Sequence, residues 1–277
     1  MENPFGTESR LSLTAGKSGE RTVLEECFCR APFKLMKPFY PNGKGDMELM
    51  LMSVSAGIMA GDSQEIQIQV KAGARLSITT QSYEKLHKMA PGASASRKSV
   101  IRVEDGGFLS YQPLPVIPFA QSDFSGDTEI ILEGPDAGLI YSEILSCGRA
   151  ARGERFQYRR YQNRIAVSCE GVLRYADNTL YLPAGGGAGA DSSLPFMEME
   201  ETGAYEGHTH LANLLILNRE LPEGWPDEVR LLFSQAEEEE IQGGVTRLSH
   251  GYVVKILGNQ AQELLDLIEK IRMLGEI

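Results

Sequence analysis

Cysteine, tryptophan and basic residues are all scarce in this chain, and each shortage argues against a class of protein. Four cysteines in 277 residues are too few and too scattered for a disulfide framework. With 27 basic against 38 acidic residues, the formal charge of -11 argues against a nucleic-acid groove. The single tryptophan, Trp225, argues against the aromatic platforms of a carbohydrate-binding cleft. We therefore expect proteins or cations as partners.

Long apolar runs are also missing. No run approaches the ~20 residues that cross a bilayer, and the opening MENPFGTESR lacks the apolar core of a signal peptide. We therefore expect a cytoplasmic protein without membrane contact. At 42% hydrophobic residues, the chain can bury a sizeable core. No convincing linker interrupts it, so residues 1–277 are predicted to form a single domain.

Segments of alternating polarity joined by turn residues dominate the chain. We interpret successive pairs as β-hairpins: 64–70 with 75–81 around KAGA, 99–104 with 108–111 around DGG, and 128–133 with 139–145 around GPDAG. In the first pair, Ile66, Ile68 and Val70 are predicted to share one face. Strand pairs at this short spacing favour a sandwich, a barrel or a coiled stack of sheets over a βαβ fold.

Two segments have the apolar spacing of helices. The clearest is NQAQELLDLIEKIRMLGEI at residues 259–277, with Asn259 available as its cap. The second, PDEVRLLFSQAEEEE at residues 226–240, begins with proline and acidic residues and ends in an acidic run. A few helices are thus predicted beside the strands, one of them at the C-terminal end.

Two pairs of side chains have spacings that suit metal binding on a strand. Cys27 and Cys29 would point to one face, and so would His208 and His210. The alternative for the cysteines is that they are small buried hydrophobic residues. The alternative for the histidines is a polar strand face or a hydrogen-bonded ring.

Glu143 stands out because its segment, residues 139–145, is apolar on both faces. A carboxylate buried there needs a cation, a hydrogen-bond network or a metal, since its bare desolvation is very costly. One interpretation is a structural ion pair with Arg149, Arg152 or Arg155 just downstream. The other is that Glu143 lines a polar path through the core.

Catalytic motifs are absent, since the chain contains no G-x-S-x-G, H-E-x-x-H or C-x-x-C. Asp62 follows Gly57 and Gly61 just before a predicted strand, which favours a turn-capping role. The residues alone therefore predict an acidic, mainly β protein with candidate metal contacts.

Five strings in order along the chain resemble the UreD family of urease accessory proteins, with variant forms similar to its UreH branch. They are SAGIMAGD (55–62), ITTQSYEKLHKM (78–89), PLPVIPF (113–119), YSEILSCGRAARGERF (141–156) and YADNTLYLP (175–183). Together they span most of the chain, so they are far more specific than any one motif.

The resemblance implies a mainly β fold of stacked sheets in a helical or solenoid-like arrangement with a few helices. It also implies a non-enzymatic scaffold that assembles with the helical protein UreF and the GTPase UreG, two copies of each, and docks on apo-urease. No cofactor would stay bound. Nickel would pass through an internal, water-filled tunnel toward the urease active site.

Carried onto matching positions, the resemblance also implies roles for individual side chains. The candidate tunnel-lining groups are Asp62, Ser82, Glu143, Asp177, Glu84 and Glu154. Arg149 and Arg152 would position carboxylates or shape a partner surface. His208 and His210 remain candidates for a transient nickel contact.

Two competing functions follow from the residues. An all-β carbohydrate-active hydrolase or lyase would use a carboxylate pair such as Asp62 and Glu143 with a divalent cation. A plain protein-binding module would need no such pair. An enzyme predicts activity in the isolated chain, whereas an accessory protein predicts co-purification with its partners.

Overall fold

Seventeen strands and two helices follow one another in the computed structural model, which describes residues 8–41, 45–186, 195–236 and 240–277. The strands are β1 (Glu8–Ser18), β2 (Arg21–Arg30), β3 (Phe33–Leu35), β4 (Met47–Ser53), β5 (Ser63–Val70), β6 (Arg75–Thr80), β7 (Glu84–Leu86), β8 (Ala95–Val103), β9 (Phe108–Gln112), β10 (Val116–Pro118), β11 (Asp123–Leu132), β12 (Gly138–Ser146), β13 (Arg160–Cys169), β14 (Val172–Tyr181), β15 (His210–Leu217), β16 (Gln242–Leu248) and β17 (Gly251–Gly258). The helices are α1 (Trp225–Gln235) and α2 (Ala261–Leu274).

The strands form two sheets, one of seven strands and one of ten, and the chain passes back and forth between them. Each turn places one main strand in the ten-stranded sheet and one in the seven-stranded sheet: β4 then β5, β6 then β8, β9 then β11, β12 then β13. The short strands β7 and β10 also belong to the ten-stranded sheet. Equivalent strands of neighbouring turns pair in parallel. The result is a β-solenoid of about four turns, which confirms the predicted mainly β, solenoid-like fold.

The three predicted hairpins are wrong, although their strands are real. β5 and β6 lie in different sheets, and so do β8 and β9, and β11 and β12. Each turn segment therefore carries the chain across the core instead of folding it back within one sheet. The physical reason is that glycine-rich turns and alternating strands serve both arrangements equally well. The choice depends on a partner strand one whole turn away.

Parallel pairing stacks residues from the same position of each turn. Ile68, Ile101, Ile130 and Val167 pair in register across β5, β8, β11 and β13, and all four are at most 2% exposed. Fully burying one such side chain contributes about 1.5–3 kcal/mol. This apolar ladder forms the centre of the core between the sheets.

The outer face of the ten-stranded sheet carries a second core. Ile140 and Ile144 of β12 point to this face and pack with the buried side of both helices. The segment around Glu143 is apolar on both sides for this reason. Among the described residues, neither helix is long and apolar enough to span a bilayer.

Both helices were predicted, with small differences at their ends. Helix α1 starts at Trp225 and ends at Gln235, and residues 237–239 of the acidic run lie outside the described residues. Gln260 is the N-cap residue of helix α2, so the predicted cap at Asn259 is wrong. Asn259 Nδ2 instead donates a hydrogen bond to Glu240 Oε2 at 2.8 Å.

Strands of opposite direction close both ends of the solenoid. At the first turn, β2 pairs antiparallel with β1 and β3 pairs antiparallel with β4. At the last turn, β14 pairs antiparallel with β13, and β15, β17 and β16 extend β12 antiparallel. The parallel repeat therefore stops at defined strands on both sides.

The corners of the solenoid are tightly stacked. Phe108 N donates to Ala74 O and Gly138 N donates to Gly107 O, both at 2.9 Å, so hydrogen bonding continues from turn to turn around the corner. A Cβ on Gly107 would lie 2.9 Å from Glu104 O and 3.0 Å from the carbonyl oxygen of Lys71. Only glycine fits this corner without moving backbone.

We predict that Gly107→Ala lowers the free energy of unfolding by about 1–3 kcal/mol, the usual cost of overpacking a close contact. Gly244→Ala is the matched control, because a Cβ on this strand glycine would meet no atom within 4 Å. Urea denaturation of both variants and the wild type measures the difference. Equal midpoints for the two variants would contradict the tight corner.

Candidate functional site

Two cavities lie between the facing sheets. The large cavity has a volume of about 120 Å³ and the small cavity about 30 Å³. Since a water molecule needs about 10–15 Å³ of such volume, the large cavity has room for several waters and the small one for about two. Glu143, Tyr161 and Asn163 line both cavities. These three side chains therefore stand where the cavities meet.

The polar lining follows from the strand register of the seven-stranded sheet. Gln64, Arg97, Gly126, Asn163 and Thr179 occupy paired positions across β5, β8, β11, β13 and β14. They run parallel to the apolar ladder, a few positions along the same strands. In-register stacking thus turns scattered polar residues of the sequence into one continuous row.

Gly126 makes room in the middle of this row. A Cβ at this position would lie 2.5 Å from Asn163 Oδ1. Without it, the Asn163 side chain occupies that space and its Nδ2 donates to Glu143 Oε2 at 2.7 Å. The absence of a side chain at Gly126 therefore allows the hydrogen bond between Asn163 and Glu143, which joins the two sheets.

Glu143 is held by neutral donors. Besides Asn163, Tyr141 O–H donates to Glu143 Oε2 at 3.3 Å, and the Asn213 amide, at the paired position of β15, also favours the charged carboxylate. Burial, together with the nearby Asp177 carboxylate, raises the pKa of Glu143 to about 7, and the hydrogen bonds only partly offset this rise. Glu143 therefore changes its charge near neutral pH.

The predicted alternative of an ion pair between Glu143 and the downstream arginines is wrong. Arg149 pairs instead with Glu154, through Nε to Oε2 at 2.7 Å and a second contact from Nη2 to Oε1. Arg155 pairs with Glu200 at 3.0 Å. Glu143 is thus a partly buried carboxylate whose described hydrogen-bond donors are the Asn163 amide and the Tyr141 hydroxyl.

Glu84 lies in the wall of the large cavity and pairs with Arg97. Arg97 Nη1 donates to Glu84 Oε2 at 2.8 Å, Nη2 donates to Oε1, and Nε donates to Gln64 Oε1 at 3.0 Å. Although burial disfavours the charge of Arg97, Glu84 raises its pKa, so the guanidinium stays protonated. Ser82 lines the same cavity and is exposed, which places it at the mouth.

Asp177 lies in the wall of the small cavity, on β14. Lys255 Nζ donates to its Oδ2 at 2.6 Å, Tyr175 O–H donates to Oδ2 at 3.2 Å, and Thr179 O–H donates to Oδ1 at 3.3 Å. Burial alone would raise the pKa of Asp177, but Lys255 and the two hydroxyls lower it below its usual range. Asp177 is therefore ionised beside the cavity.

Four of the six predicted tunnel residues come together around the two cavities: Ser82, Glu84, Glu143 and Asp177. Asp62 and Glu154 line neither cavity. Asp62 Oδ2 accepts a hydrogen bond from Met59 N at 2.8 Å in the turn before β5, as a capping aspartate does. Glu154 forms its ion pair with Arg149 beside the exposed Arg152.

The histidine and cysteine pairs do not assemble a metal centre. His208 Nδ1 contacts Tyr205 O at 3.0 Å, while His210 Nδ1 contacts Thr209 Oγ1 at 2.8 Å. Among the described residues, no group of three or more His, Cys, Asp or Glu side chains is placed to hold a metal ion.

Cys27 and Cys29 lie on the edge strand β2, with their sulfur atoms 3.8 Å apart. Cys27 is exposed, so the expectation that both are buried hydrophobic residues is wrong. Partial burial and the neighbouring Cys29 raise the pKa of the Cys27 thiol to about 11, which keeps the thiol protonated at neutral pH.

Sequence reasoning missed Arg97, Asn163, Asn213 and Lys255, which complete the lining of the cavities. Asn213 could have been recognised from the sequence, because it is a polar residue within the apolar strand β15, as Glu143 is within β12. In the structure, the two residues pair directly. Lys255 carried a similar signal, because it is a charged residue within the apolar strand β17, whereas Arg97 and Asn163 lie on strands that contain several polar residues. Their positions depend on the register between turns.

Comparisons with known proteins agree over nearly the whole chain. The family model described as UreD urease accessory protein matches residues 7–276. A urease accessory protein UreD from Acetivibrio thermocellus is 37% identical over 273 residues, which cover 98% of both chains. A urease accessory protein UreH from Helicobacter pylori strain G27 is 36% identical over 98% of this chain and 96% of its own length. A more distant UreD, from Flavobacterium johnsoniae, is 29% identical over 95% of this chain and 91% of its own length.

The raised pKa of Glu143 predicts a pH-dependent difference in stability. With a folded-state pKa of about 7 against the ordinary 4.5, the proton on Glu143 stabilises the native chain at low pH, and this contribution is lost as the pH rises to 7. Glutamine has no proton to lose. Relative to the wild type, Glu143→Gln should therefore gain about 3 kcal/mol of unfolding free energy between about pH 4 and pH 8.

Urea titrations of both proteins across this range measure the effect. Glu129→Gln is the control, because Glu129 is an exposed residue of β11, and its difference from the wild type should stay constant. Parallel pH curves for Glu143→Gln and the wild type would contradict a desolvated carboxyl group.

Proposed function

Because the chain belongs to the UreD family of urease accessory proteins, we propose that it relays nickel to apo-urease along the polar path between its two sheets. Family membership makes it a non-catalytic accessory protein of urease maturation. The observation that carries the proposed relay is the meeting of the two cavities at Glu143 and Asn163. Three carboxylates, Glu84, Glu143 and Asp177, mark the path along its length.

The ligand chemistry of the path supports a cargo that must be released. Nickel binds nitrogen and sulfur ligands tightly, so a carrier that passes the ion on is better lined with oxygen atoms and water. The cavity walls offer carboxylate, hydroxyl and amide oxygens from Glu143, Thr179 and Asn213. Asn213 Oδ1 is buried and has no hydrogen-bond partner among the described residues, which leaves an acceptor for water or a hydrated cation.

The charge balance of the path also suits a transient cation. A conducting path must attract an ion strongly enough to admit it and weakly enough to release it. Glu84 and Asp177 are each partly neutralised by a basic partner, Arg97 and Lys255. Glu143 lies between them without a basic partner in its described contacts, and its pKa of about 7 allows it to carry charge when a cation is near.

The scaffold role is supported by exposed apolar side chains at the first turn. Met36, Phe39, Met50 and Val54 are between 37% and 67% exposed. Met36 N donates to Met50 O at 3.0 Å, and Phe39 pairs with Glu48, so three of the four lie on or beside β4. Exposed patches of this kind are typical of protein contacts. In our proposal, UreF, UreG and apo-urease are the partners, with two copies of each accessory protein.

The first test removes the protein. A strain that lacks this chain should assemble urease whose nickel content per active site is low at limiting nickel supply, since assembly of the urease subunits does not require the relay. Metal analysis of purified urease measures this. Normal nickel content in the deletion strain would reject the proposed role.

The second test removes one charge from the path. Glu143→Gln keeps the volume of the side chain, so the complex with UreF, UreG and apo-urease should form while nickel per active site falls by about tenfold or more, as expected for a lost charge-assisted ligand worth roughly 1.5 kcal/mol or more. Glu129→Gln on the outer surface is the matched control and should load normally.

Pull-down of UreF, UreG and apo-urease by each variant, together with metal analysis of the urease, separates a role of Glu143 in the path from a structural role. Normal loading by Glu143→Gln would reject the path, and joint loss of assembly and loading would point to a structural role. Asp62→Asn, measured in parallel, asks whether the turn before β5 belongs to the route, since Asp62 is a proposed tunnel residue that lines neither cavity.

A further inference from the structure

The ion pair between Lys255 and Asp177 joins the two sheets at their last strands. Asp177 belongs to β14, the edge strand of the seven-stranded sheet, and Lys255 belongs to β17, the strand next to the edge of the ten-stranded sheet. Their side chains meet at 2.6 Å and both line the small cavity. The pair therefore lies at the end of the small cavity, where the last strands of the two sheets face each other.

The strand register shows that this end of the cavity faces open space. Glu143, Asn213, Lys255 and Gly244 occupy paired positions across β12, β15, β17 and β16. The row thus leads from the meeting point of the cavities to a residue without a side chain. A Cβ on Gly244 would meet no atom within 4 Å, so nothing covers Lys255 on that side among the described residues.

The two basic residues of the path are held in different ways. Arg97 is fixed by two contacts to Glu84 and two to Gln64, and its side chain is only 19% exposed. Lys255 pairs with Asp177 alone among the described residues, and its side chain is 53% exposed. A lysine ammonium on a flexible stem can leave a carboxylate without breaking a bidentate geometry.

From these observations we propose that Lys255 is a displaceable counter-ion at the end of the path, which competes with the passing cation for Asp177. The proposal rests on the proposed nickel relay. A cation that reaches Asp177 displaces the ammonium toward solvent beside Gly244, and the returning ammonium favours release of the cation. Lys255 thereby keeps Asp177 a weak site and sets the rate at which the path empties.

The size of the effect follows from the exposure of the pair. Exposed lysine–carboxylate pairs contribute modestly, so removing the competing charge should strengthen cation binding at Asp177 by about two- to fivefold. Release would slow by a similar factor. Such a change is small enough to leave folding intact and large enough to measure.

The first experiment titrates Ni²⁺ into the complex of the full chain with UreF, without the GTPase and without urease, by calorimetry. Lys255→Met removes the charge and keeps the stem, and we expect it to lower the Kd for Ni²⁺ about two- to fivefold. The gain should vanish in the background of Asp177→Asn, because the site of competition is then lost. Lys255→Arg keeps the charge and should bind as the wild type does.

Lys71→Met is the matched control. Lys71 forms a pair with Glu25 at the same distance of 2.6 Å and similar exposure, but neither residue lines the cavities. Its Ni²⁺ affinity should equal that of the wild type. An unchanged affinity in Lys255→Met, or an equal gain in Lys71→Met, would overturn the proposal.

The second experiment follows nickel per urease active site over time with the complete complex at saturating Ni²⁺. Lys255→Met should load about two- to fivefold more slowly while assembling normally. Lys255→Met could instead lose assembly, with assembly restored by Lys255→Arg and with an unchanged Ni²⁺ affinity. That result would make the pair a structural link and overturn the proposed competition between Lys255 and the cation. Normal loading by Glu143→Gln would instead reject the relay itself, and the affinity of Lys255→Met would still decide whether Lys255 competes with a cation.

Discussion

In-register parallel pairing between successive turns is the constraint on which the rest of this molecule depends. It places residues from the same position of each turn side by side across a sheet, whether they are apolar or polar. The ladder from Ile68 to Val167 and the row from Gln64 to Thr179 are two products of the same register. A shift of one residue in a single turn would turn the inward-facing side chains of that strand to the opposite face and bring its outward-facing side chains into the ladder and the row.

The buried carboxyl group at the centre of the path balances two opposing effects. Burial and the proximity of Asp177 disfavour the charge on Glu143, while the hydrogen bonds from Tyr141 and Asn163 and the nearby Asn213 amide favour it. A basic partner would have kept Glu143 permanently ionised, and an apolar wall would have kept it permanently neutral. Neutral donors leave the group poised between the two, which is the condition for responding to a passing cation.

The sequence predicted six of the strands, both helices and four of the residues that meet at the cavities, because these features depend on local periodicity or on strings carried over from the family. The three hairpins failed because KAGA, DGG and GPDAG specify a turn but not the sheet to which the next strand belongs. Arg97 and Asn163 escaped notice for the same reason, since each acquires its neighbours from strands that are distant in the sequence. Asn213 and Lys255 could have been found, each as a polar residue within an apolar strand.

The antiparallel strands at both ends of the solenoid have a consequence for its dimensions. A parallel stack can in principle accept further strands indefinitely, as fibrils do, because each edge is a template for the next layer. Here β2 and β14 run against the repeat and end it in the seven-stranded sheet. The row from Gln64 to Thr179 spans five strands of this sheet, so four steps of about 4.8 Å set its length at roughly 19 Å. The antiparallel strands at the two ends thus set the width of the sheet that forms one wall of the cavities.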